Sequence, residues 1–250
     1  MKLADVVRYL EEYLDIAGVP DYPDAYNGLQ VDGPPEVQRV ALAVDACQAT
    51  IDAAADAGAG LLIVHHGLFW GSKAPLVGGL YRRVAGLIRH DIALFSAHLP
   101  LDAHAEVGNN AVMARRLGLP VAGRFAEHDG IPVGVIVEGP MDATELRDRV
   151  AEVIGAQARL IATGPRTARR IGIVSGGAGT WLHMAEDAGC DTFVTGEGPH
   201  HCYLEAEERG LNMILGGHYA TETLGVKALA DHLRERLALE CVWIDHPTGL

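Results

Sequence analysis

Short apolar runs that alternate with stretches of helical period constrain this chain more than any other feature. "RVALAVDA", "LLIV" and "IALFSAH" are each followed by a segment with apolar residues at helical spacing. The rhythm resumes after "FAEHDG" with "IPVGVIVEG", "RIGIVSGG", "TFVTGEG", "NMILGG" and "ECVWID". Runs this short and this apolar read as strands, and their alternation with helices of about 10–15 residues argues for largely parallel or mixed sheets. The pattern predicts an α/β chain with mixed sheets flanked by helices. Because the rhythm occurs twice, two packed α/β repeats, about 1–125 and 126–250, are expected within a single domain over 1–250. An opening helix is read from Leu3, Val6, Val7, Leu10 and Leu14, and "AYNGLQVDGPPEVQ" after it reads as a turn-rich loop.

With 250 residues, 49% of them hydrophobic and 21% charged, the chain can bury a sizeable core. No stretch approaches the roughly 18 apolar residues of a membrane span, and the N-terminal segment breaks into charge early, so a cytoplasmic protein is expected. A formal net charge of −13 argues against binding to a nucleic-acid backbone unless Arg82, Arg83, Arg115 and Arg116 concentrate on one surface. Four cysteines far apart, with no C-x-x-C pair, indicate neither a disulfide framework nor a thiolate zinc site.

Several of the 12 histidines fall in tight groups, and those groups fall where strands end. His65 and His66 close "LLIVHH"; successive strand side chains point to opposite faces, so the two rings are expected to diverge and to suit two neighbouring ions. His98 closes another strand, with Asp102 four residues on across Pro100, and a third ends in two glycines before His218 and Glu222 at i, i+4, one face of a helix. Each has a plainer reading: a hydrogen-bonded structural histidine, a turn aspartate capping amides, a helix-start carboxylate favoured by the dipole. Together, His65, His66, Asp102, His218 and Glu222 read as the ligands of a dinuclear centre, with Glu222 able to bridge, and such a pair of ions activates water for hydrolysis. "VTGEGPHH" adds Glu197, His200 and His201 as groups that could pass protons in the same cleft. "SGGAGTW" is glycine-rich between strand and helix, weakly suggestive of a phosphate cradle and better read as a tight turn.

In this order, "NGLQVDG", "VHHGLFWG", "AHLPLDAH", "GNNA", "SGGAG", "TGEGPHH" and "GGHYATE" resemble the NIF-three-like proteins, the GTP cyclohydrolase 1 type 2 homologues, and most of all their short bacterial members of YbgI type. The likeness runs over essentially the whole chain. It implies a NIF-three-like fold of two intertwined repeats without the inserted middle domain of longer members. It implies that His65 and His66 ligate different ions, Asp102 joining His66, His218 joining His65, and Glu222 bridging. His98, Glu197 and His201 match positions facing the metal cavity and are the catalytic candidates. The resemblance implies two divalent ions per subunit (zinc, manganese, iron, nickel or cobalt) and a toroidal homo-hexamer. The activity it implies is metal-dependent hydrolysis of a purine nucleotide; the alternative is a non-enzymatic metal-binding or partner-binding ring with a role in the response to DNA damage.

Overall fold

The structure, a computed structural model, describes residues 1–70 and 74–250. The chain divides into two units, Met1–Leu101 with Val226–His246, and Asp102–Gly225 with Pro247–Leu250.

The first unit is built on a five-stranded sheet in the order β1 (Gly28–Val31), β4 (Ala93–Ser96), β3 (Leu61–His66), β2 (Arg39–Asp45), β11 (Glu240–Trp243). All neighbours are parallel except β1, which runs against β4. Alternation along the strands sends Ala41, Ala43, Leu62, Val64 and Leu94 to one face, where they cluster with Ile51 and Ala54 of α2 (Gln48–Asp56) and Leu87 of α3 (Gly78–Arg89). The intervening Val40, Leu42, Leu61 and Ile63 are buried as well, so both faces of the sheet are covered. Double burial is why these strands read as unbroken apolar runs. Helix α1 (Leu3–Tyr13) buries the stripe Leu3, Val6, Val7 and Leu10 that its spacing predicts.

In the second unit the order is β5 (Val121–His128), β6 (Ile131–Asp142), β8 (Thr167–Ile173), β9 (Thr192–Thr195), β10 (Asn212–Leu215), β7 (Arg159–Ala162). β8, β9 and β10 are parallel; the remaining pairs are antiparallel. Phe193 and Met213 of this sheet pack with Leu182 and Ala185 of α7 (Leu182–Asp187) and Ala206 of α8 (His201–Arg209). Phe125 meets Phe193 edge to face at 6.2 Å, and a side chain at Gly172 would stand 2.7 Å from the Phe125 ring, so only glycine fits there. Helix α6 (Ala143–Ile154) starts where the Asp142 carboxylate accepts from the Thr144 amide at 2.9 Å and stops at Gly155 in the left-handed region. Short α4 (Leu99–Asp102) and α5 (Asn109–Arg116) lead into this sheet. Helix α9 (His218–Leu237) contributes its first turns to this unit and the rest to the other.

The mixed α/β architecture agrees with the sequence reading, but three strands escaped it. β1 lies inside the stretch read as a turn-rich loop, and β5 and β7 also went unread. Each pairs on one side only, and each carries half-exposed or exposed positions. All four cysteines are free. Among the described residues no helix is long and apolar enough to cross a membrane.

Candidate metal centre

In a parallel sheet all strands end at the same edge, and in the first unit that edge gathers imidazoles. His65 and His66 are the last two residues of β3, and His98 follows β4 by two residues. Asp45, the last residue of β2, is the register partner of His66, and its carboxylate takes His66 Nδ1 at 2.8 Å. His65, wholly buried, places Nδ1 2.9 Å from the carbonyl oxygen of Ala97. His98 Nδ1 lies 2.9 Å from Asp21, whose second oxygen accepts the Leu99 amide, while Asn27 accepts the His98 amide at 2.8 Å. Each ring thus has Nδ1 on an oxygen acceptor, which sets the tautomer with the lone pair at Nε2. One nitrogen from each of the three rings lies within 4.8 Å of the others, so this cluster could hold a metal ion.

The rings of His65 and His66 do not diverge. Their centroids are 4.7 Å apart and their planes meet at 43°. Strand side chains lean along the strand direction, so past the last paired residue the two rings come together despite leaving opposite faces.

The second unit gathers a different set. His218 and Glu222 stand one turn apart at the start of α9, with His218 Nε2 3.1 Å from Glu222 Oε1 and His218 Nδ1 2.8 Å from Glu197 Oε1. Glu222 is buried. The loops after β8 and β9 press against this pair because they lack side chains. A Cβ at Gly176, which has a φ of +68°, would collide with the Glu222 carboxylate, and one at Gly196 would stand 2.8 Å from the His218 Cα. In "SGGAG", Gly176 is therefore required by the Glu222 carboxylate and Gly179 by the backbone of Gly198, which accounts for these glycines without a phosphate. Asp102, buried at the end of α4, accepts from Asn109 Nδ2 at 2.7 Å and Ser175 Oγ at 3.1 Å. Asn109 Oδ1 in turn accepts the Gly225 amide, and Asn110 Oδ1 accepts the Ser175 amide at 2.7 Å.

Two ionisations are displaced. The hydrogen bond to Glu222 pushes His218 up to about 9; burial opposes this, and the charges of Glu222 and Glu197 reinforce it. Burial alone would raise Asp21, but the hydrogen bond and charge of His98, with Asn27 and the Leu99 amide, hold it below the usual carboxylate range. Imidazole nitrogens and carboxylate oxygens without thiolate are the donors that borderline and hard divalent cations take. Glu222 and Glu197, one at each ring nitrogen of His218, favour positive charge at this position.

His65, His66 and His98 are thus brought together in the first unit, and His218, Glu222 and Glu197 in the second, where Asp102 has its own buried network. His201 is drawn into neither: it is exposed on the first turn of α8, 3.9 Å from Glu205. His200 beside it is also exposed. His104 accepts the amides of Glu106 and Val107 through Nδ1, which makes it a turn cap. Sequence reasoning missed Asp21, Asp45, Asn109, Asn110 and Ser175 as partners of the candidate ligands. Asp45 was legible in principle, a carboxylate ending a strand beside one that ends in histidine; Asp21 lies in a loop with no periodicity to place it.

Comparison with known proteins follows the same lines. The family model described as Duf34/NIF3 (NGG1p interacting factor 3) matches residues 1–248. A protein of Archaeoglobus fulgidus named GTP cyclohydrolase 1 type 2 homolog is 41% identical over 250 residues, which cover 100% of both chains. One of Escherichia coli with the same name is 37% identical and covers 99% of each. Among solved structures, protein ybgI, described as of unknown function, matches with a TM-score of 0.93 at 36% identity and complete coverage of both chains. A protein of Thermus thermophilus, TTHA1606, matches at 0.90 and 44%, again over the whole of both chains. Matched along its length by the family model and by full-length relatives, the chain belongs to the Duf34/NIF3 family.

Proposed function

We propose that the chain holds two divalent cations through His65, His66, Asp102, His218 and Glu222 and hydrolyses a purine nucleotide. The observation that carries this reading is the anchoring of His65, His66 and His218 through Nδ1 to Ala97, Asp45 and Glu197, the arrangement that prepares Nε2 for a cation. The name shared by the relatives, GTP cyclohydrolase 1 type 2 homolog, points to the substrate class. Zinc, manganese, iron, nickel and cobalt all suit nitrogen and oxygen donors. When bound, the cations supply Lewis acidity and lower the pKa of water toward neutrality.

The chain's own residues supply the rest. Asn109 and Ser175 hold the Asp102 carboxylate in one orientation. His98 accepts a proton at Nε2 while Asp21, kept ionised, stabilises the resulting imidazolium through Nδ1. Glu197 orients His218. The net reaction adds one water across a C–N bond of the base.

The test is to load the protein, purified without a metal-scavenging tag, with each cation in turn and follow a panel of nucleotides for product. Turnover lost in His66→Ala supports the reading. No product with any cation, or a His66→Ala variant equal to the parent, rejects it.

Assembly as a toroidal homo-hexamer belongs to the same proposal. Its support is the exposed apolar stripe at the start of and along α3, where Val77, Tyr81 and Ile88 are each more than half exposed at helical spacing.

A further inference from the structure

Three of the five exposed aromatic side chains among the described residues, Tyr22, Tyr26 and Trp70, belong to two loops beside the histidine cluster. Trp70 is 42% exposed although an indole gains more than any other side chain from burial. Its ring stands edge to face with His98 at 4.9 Å and lies 6.0 Å from His66, and the Tyr22 ring meets His98 at 5.9 Å. Residues 25–30 and 67–70 of these loops are tied together. Ala25 and Trp70 form an isolated antiparallel bridge, the Tyr26 amide donates to the Phe69 carbonyl, and Gln30 of β1 accepts the Leu68 amide while donating to the Tyr26 carbonyl. A side chain at Gly67 would collide with the Gln30 amide, so the close approach of the two loops is built in. The Trp70 Nε1 proton is already given to the Gly67 carbonyl at 3.0 Å, which leaves the indole an apolar face as its means of recognition.

We infer that Trp70 and Tyr22 form a stacking subsite for a flat heteroaromatic ring, which they hold beside His98 and His66. Exposed aromatic rings next to polar side chains offer a platform on which a planar base stacks, and they give a bare phosphate nothing to bind. The inference deepens the proposed function, taking the histidine cluster as the reacting site, and assigns the recognition of the base to these two side chains.

The experiment measures binding by the full-length, metal-loaded protein, with adenosine and guanosine as probes and ribose 5-phosphate as the non-aromatic control, by calorimetry. Metal content is determined for every variant. The expected result is nucleoside binding that Trp70→Ala weakens by about tenfold or more and Trp70→Phe restores to within about threefold, the size of effect that base stacking has elsewhere. Metal content should stay at the parent level, and nucleoside should quench tryptophan fluorescence in the parent but not in Trp70→Phe. Tyr22→Ala provides a second variant should Trp70→Ala fold poorly. Nucleoside affinity unchanged in both alanine variants, ribose 5-phosphate binding as tightly as the nucleosides, or no nucleoside binding would each overturn the inference. Binding with the expected dependence and no turnover leaves the subsite standing and removes the hydrolase; turnover with Trp70-independent affinity does the reverse.

Discussion

Asp45 and His66 are register partners on adjacent parallel strands, so the carboxylate that sets the imidazole tautomer is delivered by backbone pairing and not by a flexible loop. Asp45→Ala should leave the donors untouched and still weaken metal affinity about 10–100-fold, measurable by competition with a chelator. His66→Ala should reduce the cations per subunit from two to one by elemental analysis. His218 makes a prediction about pH. In the metal-free protein its pKa is raised from 6.5 to about 9 through Glu222, so the stabilisation is complete below 6.5 and is lost as pH rises through about 9. Thermal unfolding in chelator should therefore show a falling midpoint across that window. Glu222→Gln should flatten the fall, because the carboxylate that favours the imidazolium is gone; an unchanged slope would show that other groups carry it.

At the level of elements, legibility followed burial. β2, β3 and β4 were readable because both their faces are covered, which turns sequence into an unbroken apolar run. β1, β5 and β7 pair on one side only and carry polar residues that are half-buried, such as Gln30, or exposed, such as Arg124 and Arg159, so neither a run nor a clean alternation survives. The candidate site was legible for a related reason: strand ends in such sheets carry chemistry, and His65, His66, His98 and His218 all lie at or just beyond them. The convergence of His65 and His66 was not, because strand alternation describes Cβ directions and says little about rings beyond the last pair. Two element-scale substitutions check this account. Leu62→Ala, in a wholly buried position between β3 and the α2 and α3 helices, should cost about 2–5 kcal/mol in denaturant unfolding. Gly176→Ala, which puts a methyl group against Glu222 in a left-handed backbone position, should cost about 1–3 kcal/mol and lower metal content as well.

On the scale of the whole molecule, a net charge of −13 coexists with an apolar stripe on α3, the surface that the proposed assembly would bury. Replacing Tyr81 and Ile88 together by glutamate should shift the sedimenting species from the assembled form to a smaller one without changing the far-ultraviolet dichroism. Unchanged sedimentation would place the contact elsewhere.

Helix α9 and strand β11 carry one more consequence, and it concerns time. The second unit draws 102–225 from one continuous stretch, whereas the first takes its edge strand β11, and the buried Val226, Leu229 and Leu233, from residues made after that stretch. During synthesis the later-encoded unit has its sheet complete before the earlier-encoded one, whose β2 pairs early with β3 but must wait about 200 residues for its second parallel neighbour, β11, a separation that slows strand pairing. A nascent chain stalled after Gly225 should resist protease across 102–225 while remaining open to cleavage between Met1 and Leu101. Of the two units, the one encoded earlier is thus the one that closes later.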